Sequence, residues 1–270
     1  MKRKEVGMSA CFPECVRVIF DEYDTHVPYA ADLAERLNIP LTVYAPIRPE
    51  MVDLAGELLH RTPSELDDEM IRSVKDEVQK HFREPERAGT EVSLAELPRR
   101  QENDAGILVS CETDGNHTWN VLSPAGERRI FRTNKGPVLI PLGDGMSSLS
   151  AAHSGIELAR RIGTKVLLWH TTWKNPLEHD PNPRKHVCPA AEKIIREAES
   201  LGRAAGVLDE DCRVECAATV VESIIRVALR SGASLVVMAG GKRKKFGAYP
   251  DRVRSRNCPV PLLILAREPS

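Results

Sequence analysis

Apolar and polar positions follow two periods along most of the chain, and each change of period marks an element. In the second half Pro137-Val138-Leu139-Ile140-Pro141-Leu142 is an unbroken apolar run, as in a strand buried on both faces, and Gly143-Asp144-Gly145 turns the chain after it. Residues 148–162 have helical period, with Ala152, Ile156, Ala159 and Ile162 on one stripe. A strand is predicted over 165–169. Four prolines (176, 181, 183, 189) then make most of 171–189 a loop. Ile194, Ile195, Ala198 and Leu201 place a helix over 190–205, and a short strand follows over 212–217. Val221, Ile224, Ile225, Ala228 and Leu229 form the stripe of a half-buried helix. Strands over 235–239 and 260–265 end the series. Strands alternating with helices imply a mostly parallel sheet covered on both faces.

The first half is less regular. Strands are predicted over 16–20, ending at Asp21, and over 41–44, with a helix over 27–37 between them. Thr62-Pro63-Ser64-Glu65 is a capping box with proline at the first helical position, and Leu66, Met70, Val74, Val78 and Phe82 follow in register. Ser93-Leu94-Ala95-Glu96 looks like a second capping box and predicts a helix over 94–104, leaving only Thr90-Glu91-Val92 for an edge strand. After a strand over 107–109, residues 119–122 and 129–132 flank Ser123-Pro124-Ala125-Gly126 and read as a β-hairpin. That reading leaves no fifth parallel strand in this half.

The halves repeat. Leu33 to Val43 has its counterpart in Leu158 to Leu168, 125 residues further on, as the end of an amphipathic helix, a tight turn and a buried strand. The stretch around Ile107-Leu108-Val109 parallels Leu235-Val236-Val237 at an offset of 128. Two matches at nearly one spacing indicate a duplicated unit, with residues 1–135 a degenerate copy and 136–270 the regular one.

Composition narrows the function classes. The 270 residues carry 38 Lys+Arg against 39 Asp+Glu, and this near-neutral balance argues against a dedicated nucleic-acid binder. No apolar stretch approaches the roughly 20 residues of a membrane helix. The basic start, Met1 to Glu5, lacks the apolar run of a secretory signal, so a cytoplasmic protein is expected. Seven cysteines, none in a C-x-x-C pair, fit reduced thiols better than a disulfide framework. A zinc site on the close pairs Cys11/Cys15 and Cys212/Cys216, or on His179, His186 and Cys188, lacks a second pair at finger-like spacing, and no metal is expected.

The second half resembles the universal stress protein (UspA) family. The resemblance is carried by Val138 to Gly145 at its first strand, by Ser234 to Ala239 at its fourth, and by the ending from Asp251 to Ile264, a basic helix followed by Cys258-Pro259-Val260 and a last apolar strand. It implies two tandem open parallel-sheet α/β sandwiches of Rossmann type, the first degenerate, and a stress-linked regulatory and binding role. Many members bind ATP at the carboxyl ends of the strands, where such sheets place ligands. Such a site needs an acid after the first strand and a glycine loop after the fourth, of pattern G-x2-G-x9-G-[ST], whose backbone N–H groups approach phosphates.

This chain departs from that pattern. Ala239 stands at the first glycine unless Gly240 or Gly241 shifts into its place, Gly247 falls at the last, and Ala248 replaces the phosphate-binding hydroxyl. The basic run of Lys242, Arg243, Lys244 and Lys245 could hold an anion by side chains instead, or be a solvated face. The expected nucleotide or anion site, for ATP or AMP, is therefore a degenerate one of Gly143, Asp144, Gly240, Gly241, Lys242, Arg243, Gly247 and Ala248. Asp144, and Asp21 in the first half, are the acids for a base or ribose, or simply turn residues. His170, at a strand end, reads as packing or surface in preference to a base, although in this fold it would point towards the cleft. No catalytic residue is assigned. The rival readings are a slow ATP-hydrolysing enzyme and an interaction module in which the final strand pairs sheet edges. The expected partners are accordingly a small nucleotide or anion, with homodimerisation or pairing of the two halves within one chain, and neither membrane nor nucleic acid.

Overall fold

The computed structural model describes residues 14–20, 26–46, 61–82, 89–95, 106–110, 120–123, 136–172, 182–217, 219–240, 249–256 and 258–266. The first half contributes β1 (Val16–Ile19), α1 (Val27–Leu37), β2 (Leu41–Tyr44), α2 (Pro63–Gln79), β3 (Thr90–Ser93), β4 (Ile107–Val109) and β5 (Asn120–Ser123). The second contributes β6 (Val138–Leu142), α3 (Met146–Ile162), β7 (Val166–Thr172), a 3-10 turn (Pro183–His186), α4 (Pro189–Ala204), β8 (Arg213–Cys216), α5 (Val220–Arg230), β9 (Leu235–Ala239), α6 (Tyr249–Ser255) and β10 (Leu262–Leu265).

Among the described residues the strands form one sheet of ten, in the order β3-β2-β1-β4-β5-β10-β9-β6-β7-β8. Each half is parallel within itself, and the halves join where β10 runs antiparallel to β5, with Leu263 opposite Leu122. This junction corrects the hairpin expectation. Residues 120–123 instead pair parallel with β4, Ile107 opposite Asn120, and supply the fifth strand. A short apolar run does not disclose its partner, and the backbone edge of β10 offers the unpaired groups that decide it. The other arm of the expected hairpin, 129–132, lies outside the described residues. The same junction removes the reading in which the final strand pairs with another subunit, because both edges of β10 are taken within the chain.

The helix expected from residue 94 does not start there. Leu94 and Ala95 are non-helical, the Ala95 N–H donates to Ser93 Oγ, and 96–104 lie outside the described residues. The Thr62 capping box forms as read, with the Glu65 N–H donating to Thr62 Oγ1 and the Thr62 N–H to the Glu65 carboxylate. The duplication also shows in backbone conformation. Asn38 ends α1 and Gly163 ends α3 at the equivalent position, both left-handed, with φ of 52° and 71°.

Side chains alternate between the two faces of the sheet. Val138, Ile140, Leu168, Val237 and Leu263 join one core with α1, α2, α3 and α4, whereas Leu139, Trp169, Val236 and Leu262 join another with α5 and α6. On α3, Gly155 makes the close approach possible: a Cβ there would lie 2.6 Å from Ile140 Cδ1. The stripe read on α5 is turned relative to expectation. Val221, Ile224, Val227 and Ala228 are buried, and Leu229 is 57% exposed. No helix among the described residues is long and apolar enough to cross a membrane.

Candidate functional site

The strand order reverses between β6 and β9: β7 continues from one and β10 from the other. Crossovers then leave on opposite sides, and a crevice opens at the carboxyl ends of the two strands. The register shows the opening. β6 and β9 pair only at Val138 with Leu235 and at Leu139 with Val236, while β6 stays paired with β7 through Leu142. Pro141, which has no N–H to donate, lies in the diverging part.

Three of the residues expected at the site are described, and they meet at this crevice. Gly143 and Asp144 leave the end of β6, with Asp144 exposed. Gly240 leaves the end of β9, buried, with its N–H donating to the Leu265 carbonyl at 2.8 Å. Asp21, Gly241, Lys242, Arg243, Gly247 and Ala248 lie outside the described residues. Further along the basic stretch, Arg252 lies over the Tyr249 ring, 5.7 Å from its centroid, and Arg256 faces Glu222 at 3.8 Å. Those two cations are engaged at the α5–α6 surface.

The turn after β6 leads directly into α3. Gly145 is the N-cap, no side chain caps the helix, and its first turn holds no acid, so the terminus keeps its partial positive charge at the crevice. The turn is braced from inside, since the Gly143 N–H donates to Ser148 Oγ at 2.9 Å. Met146, the first helical residue, is among the most exposed large apolar side chains described.

Two groups that the sequence reading passed over lie on β7. Trp169 Nε1 and Thr171 Oγ1 are buried without a hydrogen-bond partner among the described residues. They share the α5 side of the strand, two residues apart, and Thr171 stands one residue beyond the Leu142–His170 pair, level with Gly143. A buried polar atom without a partner is uncommon and costs about 1–3 kcal/mol, which makes it a marker for a bound group. The sequence signal was weak: a Trp-His-Thr-Thr strand end more polar than a buried strand needs.

His170 departs from its expected place. Its ring is buried on the α3–α4 face, and Nδ1 lies 2.9 Å from the Leu142 carbonyl. A carbonyl only accepts, so Nδ1 carries the proton and the ring braces β6 against β7 instead of facing the cleft.

Cys212 belongs to the scaffold. Burial, and then the negative charge of Glu199, pushes the Cys212 thiol up to about 12. Glu199 is buried, accepts the Cys212 N–H at 2.9 Å and pairs with Arg184 at 3.2 Å, tying the 3-10 turn to α4. Among the described residues no group of three or more His, Cys, Asp or Glu side chains gathers as metal ligands would; His179 of the zinc reading lies outside them.

The comparisons with known proteins bear on the fold. A universal stress protein from Archaeoglobus fulgidus DSM 4304 aligns over 94% of this chain and 98% of its own, with a TM-score of 0.61 at 11% identity. The chain has the universal stress protein fold. A candidate universal stress protein from Pseudomonas aeruginosa UCBPP-PA14 aligns over 96% of this chain and 95% of its own, with a TM-score of 0.59 at 11% identity. A universal stress protein in complex with cAMP covers 48% of this chain and 96% of its own, at 20% identity and a TM-score of 0.40. No family model and no curated protein matches the sequence.

Proposed function

We propose that this chain is a tandem universal stress protein of two units, 1–135 and 136–270, acting in the cytoplasm as a stress-linked binding and regulatory module. Its second unit holds a small nucleotide or related anion, of the ATP or AMP class, across the carboxyl ends of β9, β6 and β7. The observation that carries this reading is the parting of β6 from β9 after two paired residues, at the point where Gly143, Asp144 and Gly240 converge. The uncapped start of α3 offers backbone N–H groups to an anion, and Asp144 offers a carboxylate to ribose hydroxyls. Thr171 Oγ1 and Trp169 Nε1 supply hydrogen-bonding capacity on the side facing α5. Lys242 and Arg243, with Gly241, Gly247 and Ala248, follow β9 in sequence and complete the site by charge in place of the family's glycine loop. In the first unit Asp21 takes the place of Asp144.

Isothermal titration of the full chain with ATP and with AMP tests the reading. Saturable binding is expected, weakened about tenfold, or roughly 1.4 kcal/mol, by Asp144→Ala, and weakened also by replacing residues 242–245 with alanine. Absence of heat at millimolar nucleotide would remove the nucleotide reading. Binding that ignores every one of these substitutions would move the site elsewhere.

A further inference from the structure

The last residues of β6 lose a neighbour where the crevice opens. Beyond Leu139 the strand pairs with β7 alone, and β9 no longer supplies partners on the other edge. Every described peptide is trans, and a trans peptide sends its C=O and N–H in opposite directions. The Leu142–Gly143 peptide therefore turns its carbonyl to β7 and its N–H to the side that β9 has left. Without a sheet partner that N–H needs an acceptor from elsewhere.

Side chains from two different elements hold the two ends of this one peptide. From β7, His170 Nδ1–H donates to the Leu142 carbonyl at 2.9 Å. From α3, Ser148 Oγ accepts the Gly143 N–H at 2.9 Å. Ser148 is itself tied to the turn, since its N–H donates to the Gly145 carbonyl at 2.9 Å. Strand end, turn and helix start thus close on one another. Gly143 has to be small for this: a Cβ there would lie 3.1 Å from Ser148 Oγ and press the hydroxyl off its bond. The His170 ring is buried on the α3–α4 face, so it acts on the peptide and not on a group in the crevice.

We infer that His170 and Ser148 are positioning residues, which clamp the Leu142–Gly143 peptide from both ends and so fix the direction in which Asp144 leaves β6. With that peptide plane held, the exposed Asp144 carboxylate starts from a set place before any ligand arrives. Removing either holder frees the turn to rotate, and a ligand must then order it at the expense of affinity. The consequence for binding rests on the nucleotide reading of the crevice; the clamp itself does not.

NMR of the full chain tests the clamp without ligand, and calorimetric titration with AMP tests its consequence. In the parent the Gly143 amide should exchange slowly, and the Asp144 backbone should be rigid, with an order parameter of about 0.85. Ser148→Ala, at a half-buried helical position, should speed Gly143 exchange about tenfold or more and lower the Asp144 order parameter towards about 0.6. His170→Leu should do the same although it touches only the other end of the peptide. His170→Asn, whose amide can place an N–H where the ring Nδ1–H stands, should restore most of both. AMP affinity should fall about three- to tenfold in Ser148→Ala and His170→Leu and recover in His170→Asn. In an Asp144→Ala background the same changes should alter affinity less than about twofold, because the group they position is gone. A rapidly exchanging Gly143 amide in the parent, or an amide and an Asp144 indifferent to His170→Leu, overturns the inference. Affinity losses that persist in full without the Asp144 carboxylate also overturn it, by making both residues general scaffold. A parent that binds no AMP yet shows the exchange and order effects removes the nucleotide reading and supports the clamp.

Discussion

Replacing Gly155 by alanine sets two opposed effects against each other, and the structure decides which wins. In the middle of a helix alanine is better than glycine by about 1 kcal/mol, so α3 taken alone would be stabilised. In the folded protein the new Cβ would lie 2.6 Å from Ile140 Cδ1, 3.0 Å from Ile140 Cγ1 and 3.5 Å from Val237 Cβ. Ile140 and Val237 are fully buried between sheet and helix, so neither has free space to retreat into. Overpacking of this kind costs about 2–3 kcal/mol, and subtracting the helix term leaves a net loss of about 1–2 kcal/mol. That corresponds to a fall in Tm of roughly 2–8 °C for a unit of this size. Urea unfolding followed by tryptophan fluorescence is a suitable assay, because Trp169 is buried in the same half. The decisive measurement is the double variant Gly155→Ala/Ile140→Val, which removes the Cδ1 atom at the shortest contact. It should be more stable than the sum of the single effects predicts by about 1 kcal/mol. A Gly155→Ala protein as stable as the parent, or strict additivity in the double variant, would refute the packing argument.

Further expectations concern charge and buried polarity. Glu157, hydrogen-bonded by Arg160 and Arg161, has its carboxyl lowered from 4.5 to about 2, so the stability it contributes is present above pH 4.5 and lost as pH falls towards 2. After discounting for solvent exposure this is about 1 kcal/mol, and Glu157→Gln should flatten the acid limb of a stability–pH curve in that window. Glu199→Ala leaves the buried Cys212 N–H without its acceptor and the Arg184 guanidinium with Glu192 alone, and should cost about 2–3 kcal/mol in denaturant unfolding. Thr171→Val removes a buried hydroxyl that has no partner among the described residues, so the ligand-free protein should be unchanged or up to about 1 kcal/mol more stable. The same variant should bind AMP more weakly by calorimetry; loss of stability without loss of binding would place that hydroxyl in the scaffold alone.

The second half was legible to within a residue or two at most element ends, because its apolar runs and stripes are long. Helix α4 and strand β9 lie where periodicity puts them. The first half was legible where local chemistry is strong, as at the Thr62 capping box, and misread where pairing decides. Residues 120–123 carry the same side chains in a hairpin as in a parallel strand, and only the presence of β10 selects between them. At the candidate site, Gly143, Asp144 and Gly240 could be named from their places after strands. His170 could not be placed, since a strand residue's face depends on a register that one position shifts. Nor could the unpaired atoms of Trp169 and Thr171 be found, because a missing partner is a property of the surroundings.

The sequence by itself determined the α/β class, the duplication at about 125 residues and the strand ends at which Gly143, Asp144 and Gly240 stand. These follow from local periodicity, turn chemistry and the repeat, which are interactions between residues near in the chain. Only the tertiary structure decided that the two halves share one continuous sheet, that β6 and β9 part where they do, and that Leu229 faces outward among arginines. Each of these depends on contacts between segments distant in sequence, whose free energies are set by shape and burial and leave no periodic trace.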